Sequence, residues 1–399
     1  MKLENVLIEL GMDAIPDLAV EIFNSEDFDA KSTKWIDRDY MLSVSRKYNY
    51  FGEYENQAIE NAGKIKDDAA LLAMLNLIVE YINRIDGCYE KVNEIPMPQK
   101  AKDKDALTMF SAVMLMTQIE PSEQRYLRMG FTPEEAFETV KAYGNCFIRG
   151  VEREGIIGMI ELYRTWLYIY VAALIVKVDG YNFEVRHFSY GGAYLKNKTT
   201  GEIKAVVYNE MVHRSGNILG SAGYEDEEGS FYGEFSETED EYVGCVADEN
   251  ALIQKEKCTF KKSEWELVLK PGDDVIAFHI PKGADLSREN LDKVFKSGTR
   301  YIRERYPDRN IRFMTCGSWL LSPELKGLLK PASNILAFGD RFVRFPLKDS
   351  GMAVFSFVFI GKFDSYNDLP ENTSLERALK KHYLDGEFIH TFAGAFEIE

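Results

Sequence analysis

The chain has 399 residues, 45% hydrophobic and 28% charged, the make-up of an ordinary globular protein long enough for two domains. Aromatic residues are 13% of it, which excludes a disordered chain. Lys and Arg total 48 against 65 Asp and Glu, a formal net charge of −17 that excludes general binding to nucleic-acid backbones or anionic membranes but leaves room for a local pocket for one small anion.

The spacing predicts helices through residue 178. Leu3, Val6, Leu7 and Leu10 share a helical face and Gly11 stops the run. Pro16 opens a second short helix. From Asp67 to Ile85, apolar residues from Leu71 to Ile82 recur every three or four positions, as in a well-buried helix. Asn93 to Asp103 reads as a loop, and Lys104 to about Thr117 as another helix. Thr132-Pro133-Glu134-Glu135 is an N-cap, a proline and a first turn of acids; the helix it starts is expected to end near Gly144. Gly158 to Val176 completes the helical half.

After Gly180 the period changes to two. Tyr181–Tyr190, Ile203–Tyr208, Phe231–Phe235 and Tyr242–Ala247 are predicted strands, with a turn at Lys196–Gly201. Residues 225–241 carry nine Asp or Glu and no basic residue, which fits a solvated loop with exposed strand edges. Val275–Ile280 is a strand, Ser287 to about Tyr306 a helix, and Ile311–Cys316 a strand. Ser322-Pro323-Glu324 caps a short helix. Gly339-Asp340 is expected to turn a hairpin between Ile335–Phe338 and Arg341–Phe345. Met352–Ile360 reads as a central strand, Leu375–Leu384 as a helix and Phe388–Ile398 as a last strand. The fold class is therefore α+β: a helical domain over 1–178, then a mixed α/β domain over 179–399.

The start, Met1-Lys2-Leu3-Glu4-Asn5, has no basic stretch followed by an apolar core. The most apolar run, Trp166–Val176, is far below the ~20 residues of a membrane helix. Five scattered cysteines, without CxxC or Cys/His clusters, suggest neither zinc nor a disulfide framework, and no metal is expected. A reduced, cytoplasmic setting is the expectation.

Two blocks carry the candidate chemistry. In Val275–Leu286 (VIAFHIPKGADL) a strand ends in His279-Ile280-Pro281, turns at Lys282-Gly283 and enters a helix. Lys282, the glycine turn and the amides beyond Asp285 form a candidate anion cradle. His279 shares the face of Val275 and Ala277 at the strand end, where ligands meet such sheets, and is a candidate base. His187 lies on the Phe183/Val185 face of its own strand, where burial would favour the neutral ring; Glu184 is on the opposite face and forms no dyad with it by adjacency. The second block is Phe313–Leu321 (FMTCGSWLL). Cys316 is a nucleophile only with a base and a depressed pKa, and otherwise a small buried hydrophobe. Ser318 lacks a GxSxG elbow. Trp319 is a core residue or a pocket wall. The Gly/Ser-rich stretch 213–223 matches neither a P-loop nor GxGxxG and reads as a surface loop.

These two blocks also carry a resemblance. VIAFHIPKGADLS, followed some 30 residues later by CGSWLLSPELKGLLKPASNILAFGDRF, resembles the C-terminal domain of bacterial acyltransferase-like proteins, which pair an N-acyltransferase-type domain with a GNAT-like domain. Arg164-Thr165-Trp166 through Glu184 resembles the entry to that domain. The resemblance implies an acyl-CoA-dependent N-acyltransferase in which acyl-CoA is the co-substrate and a small amine the acceptor. On it, His279 is the first choice for base or orienting group, with His187 and Cys316 as second choices. Lys282, Gly283 and the amides after Asp285 would hold the CoA phosphates, and Trp319 would wall the pocket. The chain departs from GNAT enzymes in one respect: no Arg/Gln-x-x-Gly-x-Gly/Ala loop joins a strand to a helix. A second reading therefore stands beside the first, a non-catalytic small-ligand-binding protein on a degenerate GNAT-like fold.

Overall fold

The computed structural model describes residues 2–281, 283–359 and 363–399. The chain divides into two compact units, Met1–Lys177 and Val178–Glu399, and the strand Ile175–Val178 carries it from one to the other.

The first unit is helical. Its central helix, Ala69–Arg84, has twelve buried residues and is capped by Asp68, whose carboxylate accepts from the amides of Ala70 and Leu71. The second Asp68 oxygen accepts from the Lys102 amide (2.9 Å), tying down the preceding loop. Asp103 caps the next long helix, Lys104–Thr117. Thr132 forms a capping box with Glu135, but that helix spans only Pro133–Val140, and a separate one covers Ala142–Glu154. Residues 158–176 are likewise shorter in helix than expected, Glu161–Val171, because the chain turns there into the connecting strand.

The second unit stacks a helix on a sheet and that sheet on another. In the first sheet the order is Tyr181–His187, Asp274–His279, Phe313–Ser318, Phe392–Glu397, Val343–Pro346. The pairing of Asp274–His279 with Phe313–Ser318 is parallel and is joined by the helix Arg288–Arg305. That helix lies on one face of the sheet. A Cβ at Gly298 would stand 2.2 Å from the Phe183 ring, so only glycine permits the approach, and Phe295 packs on Phe278 and Phe396. The other face carries Val275, Phe313, Phe345, Ala393 and Ala395. It buries them against Tyr194, Ala205, Val207, Cys245 and Leu269 of the second sheet.

Two expected strands are absent. Residues 334–339 form a helix capped by Ser333, and Gly339-Asp340 ends it instead of turning a hairpin; the strand begins only at Val343. Ile335, Leu336 and Phe338 fit either period in so short a run. Within 352–360, Ala353–Phe357 is a short helix, and Ile360 lies outside the described residues. Conversely, Gly192–Asn197, Ile253–Lys261 and Trp265–Leu269 are strands that the sequence did not announce. Among the described residues, no helix is long and apolar enough to cross a membrane.

Candidate active site at the end of the central strand

Strand register decides which side chains meet. Tyr181–His187 runs antiparallel to Asp274–His279, with Glu184 opposite Ala277 and Asn182 opposite His279. Directly opposed residues share a face, as do their neighbours two positions along. Glu184 and His279 are thus diagonal neighbours, and the Glu184 Oε2 to His279 Nε2 distance is 2.8 Å. The carboxylate is 3% exposed; the imidazole side chain keeps 30% of its surface. A buried carboxylate paired with a half-open imidazole fixes the ring and its tautomer. Nε2 donates to Glu184, which leaves the ring lone pair on Nδ1.

Three more groups surround the pair. Arg186 Nη1 is 4.0 Å from Glu184 Oε2, and its guanidinium lies over the Tyr190 ring at 5.7 Å. The half-buried Tyr190 reaches across to Gly317, where an added Cβ would stand 2.5 Å from its hydroxyl. Gly317 pairs with Ala393 on the same sheet face as Thr315 and Ala277. Burial pushes the Tyr190 phenol up to about 12, and the Glu184 charge adds to it, so it is a neutral O–H donor at ordinary pH.

The other residues singled out in the sequence fall elsewhere. His187 sits at the opposite end of the Asp274–His279 strand, opposite Asp274, roughly 17 Å along it at 3.4 Å per residue. It is the last residue of its strand, exposed rather than buried, and pairs with Asp274 through Nδ1 at 3.1 Å. Cys316 alternates with Thr315 and so points away from the Glu184/His279 face. It is buried and its thiol is pushed up to about 12 by that burial, the reverse of an activated nucleophile. Trp319 lies in a separate apolar core with Leu325, Val354, Leu379 and Tyr383.

In the turn, Lys282 lies outside the described residues. Gly283 adopts φ +78, a left-handed turn with no atom near its would-be Cβ. The Asp285 carboxylate accepts from the Ser287 amide (2.8 Å) and hydroxyl (3.0 Å). Its negative charge therefore stands where an anion was expected. Ser287 consequently does not cap the helix Arg288–Arg305 with its side chain. The Asp285 carbonyl accepts from Tyr181 Oη (2.6 Å) and Asn290 Nδ2 (2.8 Å), which fixes the turn beneath the site. Among the described residues, no group of three or more His, Cys, Asp or Glu is arranged to hold a metal ion.

The GNAT-like C-terminal domain family matches residues 196–396, half of the chain; the strand Tyr181–His187 and most of Gly192–Asn197 precede the match. The chain belongs to this family. No curated protein sequence matches it. Its fold is that of solved acyltransferases over the full length of both chains. One, in complex with decanoyl-CoA and teicoplanin, is 15% identical at a TM-score of 0.65. A mutant acyltransferase in complex with octanoyl-CoA is 14% identical at 0.65, and an acyltransferase with CoA and 10C-teicoplanin is 14% identical at 0.63. This GNAT-like protein thus combines a family fold with a site whose key carboxylate, Glu184, precedes the matched region. The sequence signal for Glu184 was a charged residue inside a strand with buried neighbours on both sides; its partner, 95 positions away, was not locally visible.

Proposed function

We propose that the chain is an acyl-CoA-dependent N-acyltransferase whose proton acceptor is His279, oriented by Glu184. The observation that carries this reading is the 2.8 Å pairing of a buried carboxylate with a half-exposed imidazole at a strand end of a GNAT-like sheet. The shared fold with acyltransferases crystallised with decanoyl-CoA and octanoyl-CoA supports acyl-CoA as the donor. In the proposed reaction the acceptor nitrogen attacks the thioester carbonyl. The N–C bond forms, the C–S bond breaks, and the nitrogen's proton passes to His279 Nδ1. Glu184 stabilises the imidazolium that results. The departing thiolate then takes that proton from His279, which restores the neutral ring. We assign the acceptor to small amines as part of the same proposal.

The CoA phosphates are assigned to the turn of Lys282 and Gly283 and the start of the helix Arg288–Arg305, which no side chain caps. Asp285 opposes an anion there, and its replacement by Asn should tighten CoA binding if the assignment holds. The missing Arg/Gln-x-x-Gly-x-Gly/Ala loop favours the second reading, a small-ligand-binding protein without turnover.

Calorimetry with decanoyl-CoA and free CoA, followed by thiol release in the presence of an amine panel, separates the two. Saturable binding with amine-dependent thiol release, lowered roughly 10²–10⁴-fold by His279→Ala, supports the transferase. Binding without release from any amine supports the second reading. A folded His279→Ala variant with unchanged turnover removes His279 from the mechanism.

A further inference from the structure

A second histidine of the same unit is built differently. His390 is 2% exposed. Its Nδ1 lies 2.8 Å from Glu324 Oε1 and its Nε2 lies 2.8 Å from the carbonyl oxygen of Ala222. Both partners are acceptors with no proton to give, so both ring nitrogens must donate and the ring must be imidazolium. Glu324 is the fixed side of this arrangement. Its Oε2 also accepts from the Ser322 hydroxyl (2.7 Å) and the His390 amide (2.8 Å). Ala222, in the Gly/Ser-rich segment 219–224, is the other side. That segment is also held by the Ala222 amide on the Asp349 carbonyl (2.9 Å), by the Leu219 amide on the Met211 carbonyl (2.9 Å) and by the Ser221 hydroxyl, which accepts from the Asp349 amide (3.2 Å). The Tyr224 ring closes the arrangement between His213 and His390, at 5.2 and 5.1 Å.

We propose that His390 is a pH-operated latch on residues 219–224, clamping Ala222 to the Glu324 anchor when protonated and releasing it when neutral. The proton lost is the one on Nε2, because Nδ1–H faces a charged carboxylate and Nε2–H only a neutral carbonyl. The Nε2 lone pair then faces the Ala222 oxygen, and that contact turns from attractive to repulsive. Glu324, Asp349 and Tyr224 face His390, with His213 behind Tyr224; Glu387 acts on Tyr224, and Tyr383 lies near Glu324 and Asp349. Burial lowers the His390 pKa; the Glu324 hydrogen bond and charge, the Ala222 carbonyl and the Asp349 charge outweigh it, and the net is a rise above 6.5. A raised histidine pKa stabilises the closed form fully below about pH 6.5 and stops doing so as pH rises through the raised value.

Hydrogen exchange of the full chain, expressed as protection relative to the intrinsic rate at each pH, tests the latch. Protection of 219–224 should fall about tenfold or more between about pH 6 and about pH 9, while the Asp274–His279 strand keeps its protection. Glu324→Gln removes the charge that holds the proton, so the fall should move to lower pH. A merely structural contact would show no such move. His390→Gln should leave the segment weakly protected at both pH values; should that variant not fold, the Glu324→Gln midpoint and a His390 NMR titration still decide. Unchanged protection across this range in the natural chain, an unmoved midpoint in Glu324→Gln, or a His390 midpoint at or below about 6.5 would each overturn the latch.

Discussion

Glu184–His279 and Glu324–His390 are both carboxylate–imidazole pairs at 2.8 Å in one layered unit, yet their surroundings assign them opposite tasks. At the first, the carboxylate is buried and the ring reaches solvent at a strand end. At the second, the ring is the buried member and both its nitrogens are taken up by oxygens. A ring that water reaches can exchange its proton with a ligand. A ring enclosed by two acceptors instead turns its proton into a structural bond. Residue type alone is thus a poor guide to role; what stands at the second nitrogen and how much of the ring water reaches decide it.

Four experiments would break or sharpen that contrast. The largest expected effect is on stability. His390→Ala should cost about 3 kcal/mol in urea unfolding at pH 6, the low end for breaking a buried pair, because the Ser322 hydroxyl and the residue-390 amide still donate to Glu324. The cost should depend on pH in both directions. Burial pushes Glu324 up, but His390 and Ser322 bring it below 4.5, so its share is present above about pH 4.5 and lost as pH falls through the depressed value. The His390 share is present below about pH 6.5 and lost as pH rises through the raised value, so the gap between variant and natural chain should be widest between those limits. His279→Ala leaves the buried Glu184 carboxylate with the Arg186 guanidinium at 4.0 Å, so its cost should be smaller, and equal losses at the two sites would erase the distinction.

Next, Glu184→Gln should lower turnover by roughly tenfold or more with little change in acyl-CoA affinity, since it unsettles the ring rather than a binding contact. An effect on affinity alone would make Glu184 a binding residue. Gly298→Ala should destabilise by about 1–3 kcal/mol, because the new Cβ meets the Phe183 ring at 2.2 Å and must displace it. Phe183 adjoins Glu184, so turnover should fall with it if the pair depends on that strand's seat. The smallest effect is a null one. Iodoacetamide at neutral pH should label exposed Cys258 and leave buried Cys316 unmodified until the chain unfolds. Rapid labelling of Cys316 in the folded chain would return it to the list of reactive groups.

Some of this architecture was legible residue by residue. The helix Lys104–Thr117 and the Thr132 capping box follow from local spacing and side-chain chemistry, which act over one or two turns. His279 was legible as a strand-end histidine for the same reason. The segment 334–346 was not, because the four-residue apolar run Ile335–Phe338 satisfies both periods and Gly339 ends a helix as readily as it turns a hairpin. Trp319 was left between core and pocket, since its choice depends on Leu379 and Tyr383, some 60 positions on.

The sequence by itself determined the change from helical to strand periodicity near residue 180, the Thr132 and Ser322 caps, and the acidic stretch 225–241, because each is set by neighbours a few residues apart. Only the tertiary structure decided which carboxylate meets which histidine. Antiparallel register put Glu184 beside His279 and sent His187 to the far end of the same strand. Chain return put Glu324 and Ala222 on the two sides of His390. Those contacts join residues 66 to 168 positions apart, and pairing at such range is fixed by packing and hydrogen-bond register, which no local pattern encodes.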